Sequence, residues 1–237
     1  MIHIQADAEA LARAAAEWIG EAAREAVKAR GRFRLGLSGG TTPRRLYRLL
    51  AGEPHRSGVE WARVWIGFSD ERAVPPDHPD SNFRMARELL IGPLGLGANG
   101  VARMQGEAED LDAAARAYEP LLHEPLDLLV LGVGPDGHTA SMFPGAAAVR
   151  ERTRRVVAVY DSPKWPPRRL TVTPRVLDEA RSIAVLASGP DKASVVARAL
   201  EGEVDALEVP ARLVRERDWY LDLRAAERLS SRGSRTE

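Results

Sequence analysis

The sequence predicts an α/β protein: an open, mostly parallel, Rossmann-like sheet with helices on both faces. Three observations carry that expectation. Runs such as 128–131 and 183–187 are continuously apolar rather than alternating, the pattern of strands buried on both faces. They alternate with segments of helical periodicity along the whole length. Strand ends also run into glycine-bearing turns that open helices, as at Ser38-Gly39-Gly40. No composition shift, linker or internal repeat interrupts the alternation, so residues 1–237 are expected to form one domain.

Taken in order, residues 2–5 read as a first strand. Residues 8–29 read as a helix, because Leu11, Ala15, Trp18, Ala22 and Ala26 recur at three- and four-residue steps. Asp7 is its expected N-cap and Gly31 its stop. Residues 33–37 form a strand and 44–51 a helix, with Thr42 as cap and Pro43 at the first helical position. A strand at 64–68 ends in the charged cluster Ser69-Asp70-Glu71-Arg72, and Ser81 caps a helix at 82–90. The glycine-rich stretch 92–100 is a loop, 101–104 a short strand and 108–122 a helix leading into the apolar run at 128. Strands at 156–160 and 169–173 flank a proline-rich loop, 161–167. A short helix at 174–180, a strand at 183–187, a helix at 192–200 and a last strand at 219–223 follow. The tail, 230–237, is polar and expected to fray.

Composition narrows the function classes. The net charge is zero, which argues against a broad surface for nucleic acid or anionic membrane. The absence of cysteine excludes disulfides, thiolate metal sites and a cysteine nucleophile. No apolar run approaches ~20 residues, and the N-terminus lacks a basic region followed by an apolar core, so a cytoplasmic protein is expected. Lysine occurs only at 28, 164 and 192 among many arginines, so a lysine in a motif is conspicuous.

The densest chemistry follows the run at 128–131, in Gly132-Val133-Gly134-Pro135-Asp136-Gly137-His138-Thr139-Ala140-Ser141-Met142-Phe143-Pro144-Gly145. Its glycines match a dinucleotide fingerprint literally. The mid-chain position, Pro135 in the turn and Pro144 where a helix should run all argue against one. Ser141 lacks the elbow of a serine nucleophile. The imidazole of His138 suits a general base, against the alternative of a structural turn histidine. Its orienting partner is either Asp136 or a backbone carbonyl. Ser38-Gly39-Gly40-Thr41-Thr42-Pro43 fits a phosphate cradle at a helix start, and equally a tight turn. Arg72 in the 69–72 cluster is a candidate for neutralising an anion, and Arg168, Arg169 and Lys192 are further anion ligands. Lys192 opens a helix, which the helix dipole disfavours unless an anion sits there. The carboxylates of the cluster show no regular metal-ligand spacing.

These segments resemble the 6-phosphogluconolactonase family, within the superfamily that includes glucosamine-6-phosphate deaminase. The resemblance rests on residues 37–43, on Ser69-Asp70-Glu71-Arg72-Ala73-Val74-Pro75 with Ser81-Asn82, on 132–145, on Pro166-Pro167-Arg168-Arg169-Leu170-Thr171 and on Gly189-Pro190-Asp191-Lys192. The deaminases follow Asp-Gly-His with Ile-Ala-Phe-Asn and carry Met-Asp-Glu-Tyr at the acidic cluster. This chain has Thr139-Ala140-Ser141-Met142 and Ser69-Asp70-Glu71-Arg72 instead. It departs from the lactonase pattern at Thr41 and Met142, where serine and leucine are commoner.

The resemblance implies hydrolysis of 6-phospho-D-glucono-1,5-lactone in the oxidative pentose phosphate pathway. It implies no metal or organic cofactor, and a sugar-phosphate lactone as the one partner. It makes His138, Arg72 and Asp136 catalytic. Ser38, Gly39, Gly40, Thr41, Asp70, Gly137, Arg169 and Lys192 would bind substrate, with backbone N–H groups near Gly137 joining Arg72 at the oxyanion. The alternatives are a deaminase or isomerase of the same superfamily, and a sugar-phosphate sensor without catalysis. A sensor of that kind usually carries a DNA-binding module, for which the sequence has no signal.

Overall fold

A computed structural model of the chain describes residues 1–230. In chain order, β1 (Ile2–Gln5) leads to α1 (Ala8–Arg30), β2 (Phe33–Leu37), α2 (Thr41–Ala51), α3 (His55–Gly58) and β3 (Val64–Phe68). Next come β4 (Asp70–Arg72), α4 (Asn82–Ala86), α5 (Leu111–Tyr118), β5 (Leu128–Gly132), β6 (Val156–Val159) and β7 (Arg169–Val172). The last elements are α6 (Pro174–Glu179), β8 (Ser182–Ala187), α7 (Ala193–Leu200) and β9 (Asp218–Asp222). The expected frayed tail lies, beyond Ser230, outside the described residues.

Six strands form the central sheet in the order β1-β9-β8-β5-β2-β3, and every pairing in it is parallel. Helices pack around it. Leu128, Leu129, Val130 and Leu131 are fully buried, as are Ile183, Ala184 and Val185, so both faces of the central strands are covered. The helix α1 forms as its periodicity predicts. Asp7 accepts from the backbone N–H groups of Glu9 and Ala10, and Gly31 ends the helix at φ 73°. Its alanine-rich face, Leu11-Ala15-Ile19-Ala23-Ala26, is buried. No helix among the described residues is long and apolar enough to cross a membrane.

A second sheet differs from the expectation of a single one. The order is β4-β7-β6, with antiparallel pairings. The strands expected at 156–160 and 169–173 belong here, and the charged cluster supplies the third strand. Ser69 is the seam between the sheets. Its N–H donates to the Leu37 carbonyl in the central sheet, and its own carbonyl accepts from Val172. Sequence pattern hides β4 because its three residues are charged, and only pairing with β7 makes them a strand.

Other differences are local. Residues 101–104 make a single parallel bridge, Val101 to Ile66, before the chain turns away at Gly106. The helix at 82–90 is α-helical to Ala86 and then widens into a π-type turn over Arg87–Ile91. The helix at 108–122 starts at Leu111, capped by Asp110, and tightens into a 3-10 turn over Glu119–Leu122. At α2 no side chain caps the helix: Thr41 is its first residue, Gly40 at φ 112° precedes it, and Thr42 lies inside.

Glu71 ties the two sheets to α4. It is almost fully buried, and its carboxylate accepts from the N–H groups of Arg72, Asn82 and Phe83 and from Ser81 Oγ, at 2.7–3.0 Å. Burial pushes the carboxyl up from its ordinary value, and those backbone donors oppose the rise. A glutamine there replaces one acceptor oxygen with a donor and leaves two buried donors unmatched. Glu71→Gln is therefore expected to cost about 3 kcal/mol in urea unfolding; a variant as stable as the native protein would show the carboxylate to be dispensable.

Candidate active site

The strand order reverses between β2 and β5: from β2 the chain runs outward to β3, then returns to β5 on the other side. In open α/β sheets the crevice beyond the carboxyl ends at such a point receives ligands. Here the turns that follow β2 and β5 lie side by side around a cavity of about 300 Å³. Ser38, Gly39, Gly40, Thr41, Asp70, Arg72, His138, Arg169 and Lys192 all line it.

The turn after β5 sets the histidine. Gly134 donates to the His138 carbonyl and Gly137 to the Gly134 carbonyl, both at 2.9 Å. Gly137 sits at φ 89°, a conformation that glycine adopts without strain. The fold-back brings two side chains only two positions apart into contact, with Asp136 Oδ1 2.5 Å from His138 Nδ1. The orienting partner is thus the aspartate rather than a carbonyl. A neutral imidazole with Nδ1–H donating to Asp136 keeps the lone pair of Nε2 free. Burial alone would raise the Asp136 carboxyl, but the His138 hydrogen bond and charge, with the charge of Lys164, hold it well below the usual carboxylate range. Phe143 packs against the imidazole at 4.6 Å between centroids.

Gly137 itself is not in the cavity lining. Its N–H is engaged by Gly134, and a Cβ there would meet Val195 and Val209. The cavity lining takes Gly134, Pro135 and His138 from this turn, neighbours of the Gly137 expected to bind substrate. Arg168 also points elsewhere: it donates to the Glu109 carbonyl and lies over the Tyr160 ring.

The start of α2 lies across the cavity. Its first N–H groups have no side-chain cap, so the helix end presents donors and positive dipole to a ligand. A Cβ on Gly39 would fall 2.0 Å from Asn82 Oδ1, so only glycine fits between the turn and α4. Ser38 is held through its backbone by the Tyr47 hydroxyl, and its buried Oγ has no hydrogen-bond partner.

The cationic groups differ in what else they hold. Arg72 gives Nη1 to the Asp80 carbonyl, and its buried Nε has no partner. Arg169, almost fully buried, gives Nε to the Pro166 carbonyl and Nη2 to those of Lys164 and Trp165. Lys192 pairs with Asp191 at 3.0 Å on a turn fixed by Asp222, which accepts from Gly189 and Ser188. Asp70 lines the cavity, yet both its oxygens are occupied: Asn82 and Ser69 donate to Oδ1 and Ser141 to Oδ2. Ser141, fully buried and spent on Asp70, has no geometry for nucleophilic attack.

Lys164 and Trp165 line the cavity without having been singled out as site residues. Lys164 Nζ lies 3.3 Å from Asp136 Oδ1 and 3.3 Å from His138 Nδ1. The rarity of lysine in this chain was the one signal that could have marked it. Among the described residues no group of three or more acidic or imidazole side chains could hold a metal ion.

Known proteins resemble this chain over most of its length. The chain is 39% identical over 246 residues to a 6-phosphogluconolactonase of Mycobacterium bovis, covering 97% of this chain and 98% of that one. It is 41% identical to a 6-phosphogluconolactonase of Rattus norvegicus, covering 85% and 82%. A solved 6-phosphogluconolactonase structure from Trypanosoma brucei superposes with a TM-score of 0.84 at 30% identity, covering 97% of this chain and 98% of that one. The family model for glucosamine-6-phosphate isomerases/6-phosphogluconolactonase matches residues 6–222, and the chain belongs to that family.

Proposed function

We propose that the chain hydrolyses 6-phospho-D-glucono-1,5-lactone to 6-phospho-D-gluconate, with neutral His138 as the general base. The observation that carries this reading is the Asp136–His138 pair facing the uncapped start of α2 across one cavity. The family includes isomerases as well as lactonases; relatives named 6-phosphogluconolactonase over nearly the whole chain favour the lactonase. The segment Thr139-Ala140-Ser141-Met142 favours it too.

In this mechanism the phosphate sits at the start of α2, held by N–H groups near Gly40 and Thr41, by Ser38 Oγ and by Lys192. Binding energy from that remote group positions the lactone carbonyl. His138 Nε2 takes a proton from water as the oxygen attacks the carbonyl carbon. Asp136 holds the tautomer and balances the imidazolium. The Nε–H of Arg72, with backbone N–H groups near Gly137, stabilises the oxyanion. Collapse breaks the bond to the ring oxygen, and His138 returns the proton to it. Arg169 acts chiefly by holding the loop that carries Lys164 and Trp165. That the chain, 1–237, forms one domain belongs to the same reading, supported among the described residues by a continuous set of buried side chains shared by both sheets. So does a cytoplasmic setting, because a charged sugar phosphate does not cross membranes unaided.

The deciding assay is proton release on adding freshly prepared lactone, corrected for spontaneous hydrolysis. Ammonia released from glucosamine 6-phosphate would establish the deaminase instead. His138→Ala is expected to lower kcat by about 10²–10⁴-fold with KM little changed; near-native turnover would remove His138 from the mechanism. A Cβ on Gly134 would lie 2.0 Å from His138 Nδ1, so Gly134→Ala should displace the ring and depress kcat in a folded protein. Lys192→Ala is expected to raise KM about tenfold, and an effect confined to kcat would contradict its phosphate role.

A further inference from the structure

Trp165 is 81% exposed, and Met1, Leu121, Tyr160 and Leu223, the other exposed large apolar side chains among the described residues, do not line the cavity. Leaving an indole in water forgoes the stabilisation that burial of so large an apolar surface would bring. Nor is the loop loosely held. Ser162 donates its N–H to the Pro167 carbonyl, and its Oγ both donates to the Lys164 carbonyl and accepts from the Lys164 N–H. The buried Arg169 guanidinium clamps the carbonyls of Lys164, Trp165 and Pro166. The fold therefore spends a buried arginine on presenting an exposed apolar ring at the cavity. Indole Nε1 has no hydrogen-bond partner among the described residues.

We propose that Trp165 is a specificity-determining residue, whose indole forms the apolar wall for the carbon-bearing face of the substrate's sugar ring. The inference rests on the sugar-phosphate lactone reading above. A six-membered sugar ring turns hydroxyl groups outward at its edge and C–H bonds across its faces. Charged groups and the helix start serve the phosphate and the hydroxyls, but a C–H face gains most against an aromatic surface. Among the described residues, Trp165 is the one indole or benzene ring in the cavity lining. Its free Nε1–H can meet a ring-edge hydroxyl. The site would then prefer closed-ring sugar phosphates to open-chain ones carrying the same phosphate.

The test compares native protein, Trp165→Ala and Trp165→Phe on freshly prepared lactone, with glucose 6-phosphate, sorbitol 6-phosphate and inorganic phosphate as competing ligands. In Trp165→Ala, KM and the glucose 6-phosphate inhibition constant should rise about tenfold, with smaller rises for sorbitol 6-phosphate. The inorganic phosphate constant should stay unchanged, and Trp165→Phe should remain within about threefold of native. Unchanged KM and inhibition constants in Trp165→Ala would overturn the proposal. Equal weakening of all ligands, phosphate included, would also overturn it, because that is the signature of a collapsed loop. Native protein inactive on the lactone would instead overturn the lactonase reading, so the two failures are told apart.

Discussion

The parallel pairing of β2 with β5 is the constraint on which the site depends. Leu35 pairs with Leu128 and Gly36 with Leu129, so the two strands finish on the same edge of the sheet. One ends in the turn that starts α2 without a cap, and the other in the turn that folds Asp136 onto His138. The uncapped helix start and the Asp136–His138 pair come from segments about a hundred residues apart in sequence. They meet because the chain reverses direction across the sheet between these two strands. Both strands are packed on both faces, so a slip in register would send every side chain to the opposite face, against neighbours shaped for another.

The second sheet serves the site by a different physical route. It introduces Asp70, Glu71 and Arg72 into a nearly dry seam, where each carboxylate is satisfied by several donors. Burying carboxylates is expensive unless they are bonded in this way. Once bonded they fix α4, the 140s loop and β4 relative to one another. That leaves Arg72 with a partnerless buried Nε at the cavity, while its neighbours carry the structural load. The loop at 161–167 is held in the same manner by Arg169, so a cation expected to bind phosphate is largely occupied in shaping the wall.

The element pattern was legible because long apolar runs and glycine turns leave strong local signals: α1, β2, β3, β5, β8 and β9 stand where periodicity puts them. The small sheet was not, because β4 is three charged residues whose strand character comes only from β7. At the site, His138 and the turns around it could be read from glycines and hydroxyls crowded past a strand end. Lys164 carried only the signal of its rarity, since nothing in its loop indicates that it reaches a carboxylate twenty-eight positions earlier. That the Gly137 N–H closes the turn onto the Gly134 carbonyl is likewise invisible in the sequence, because it depends on how the turn folds.

By itself the sequence determined the α/β class, the order of elements and the residue types at the turns, because these depend on local periodicity and backbone freedom. It also determined that His138 has an acid two residues away. Tertiary structure decided that this acid touches the imidazole, through the positive φ of Gly137 and the turn closed by Gly134. It decided as well which cations face the cavity and which are spent on carbonyls. The cavity brings together segments remote in the chain, and the distances between them are set by strand order and burial rather than by neighbouring residues.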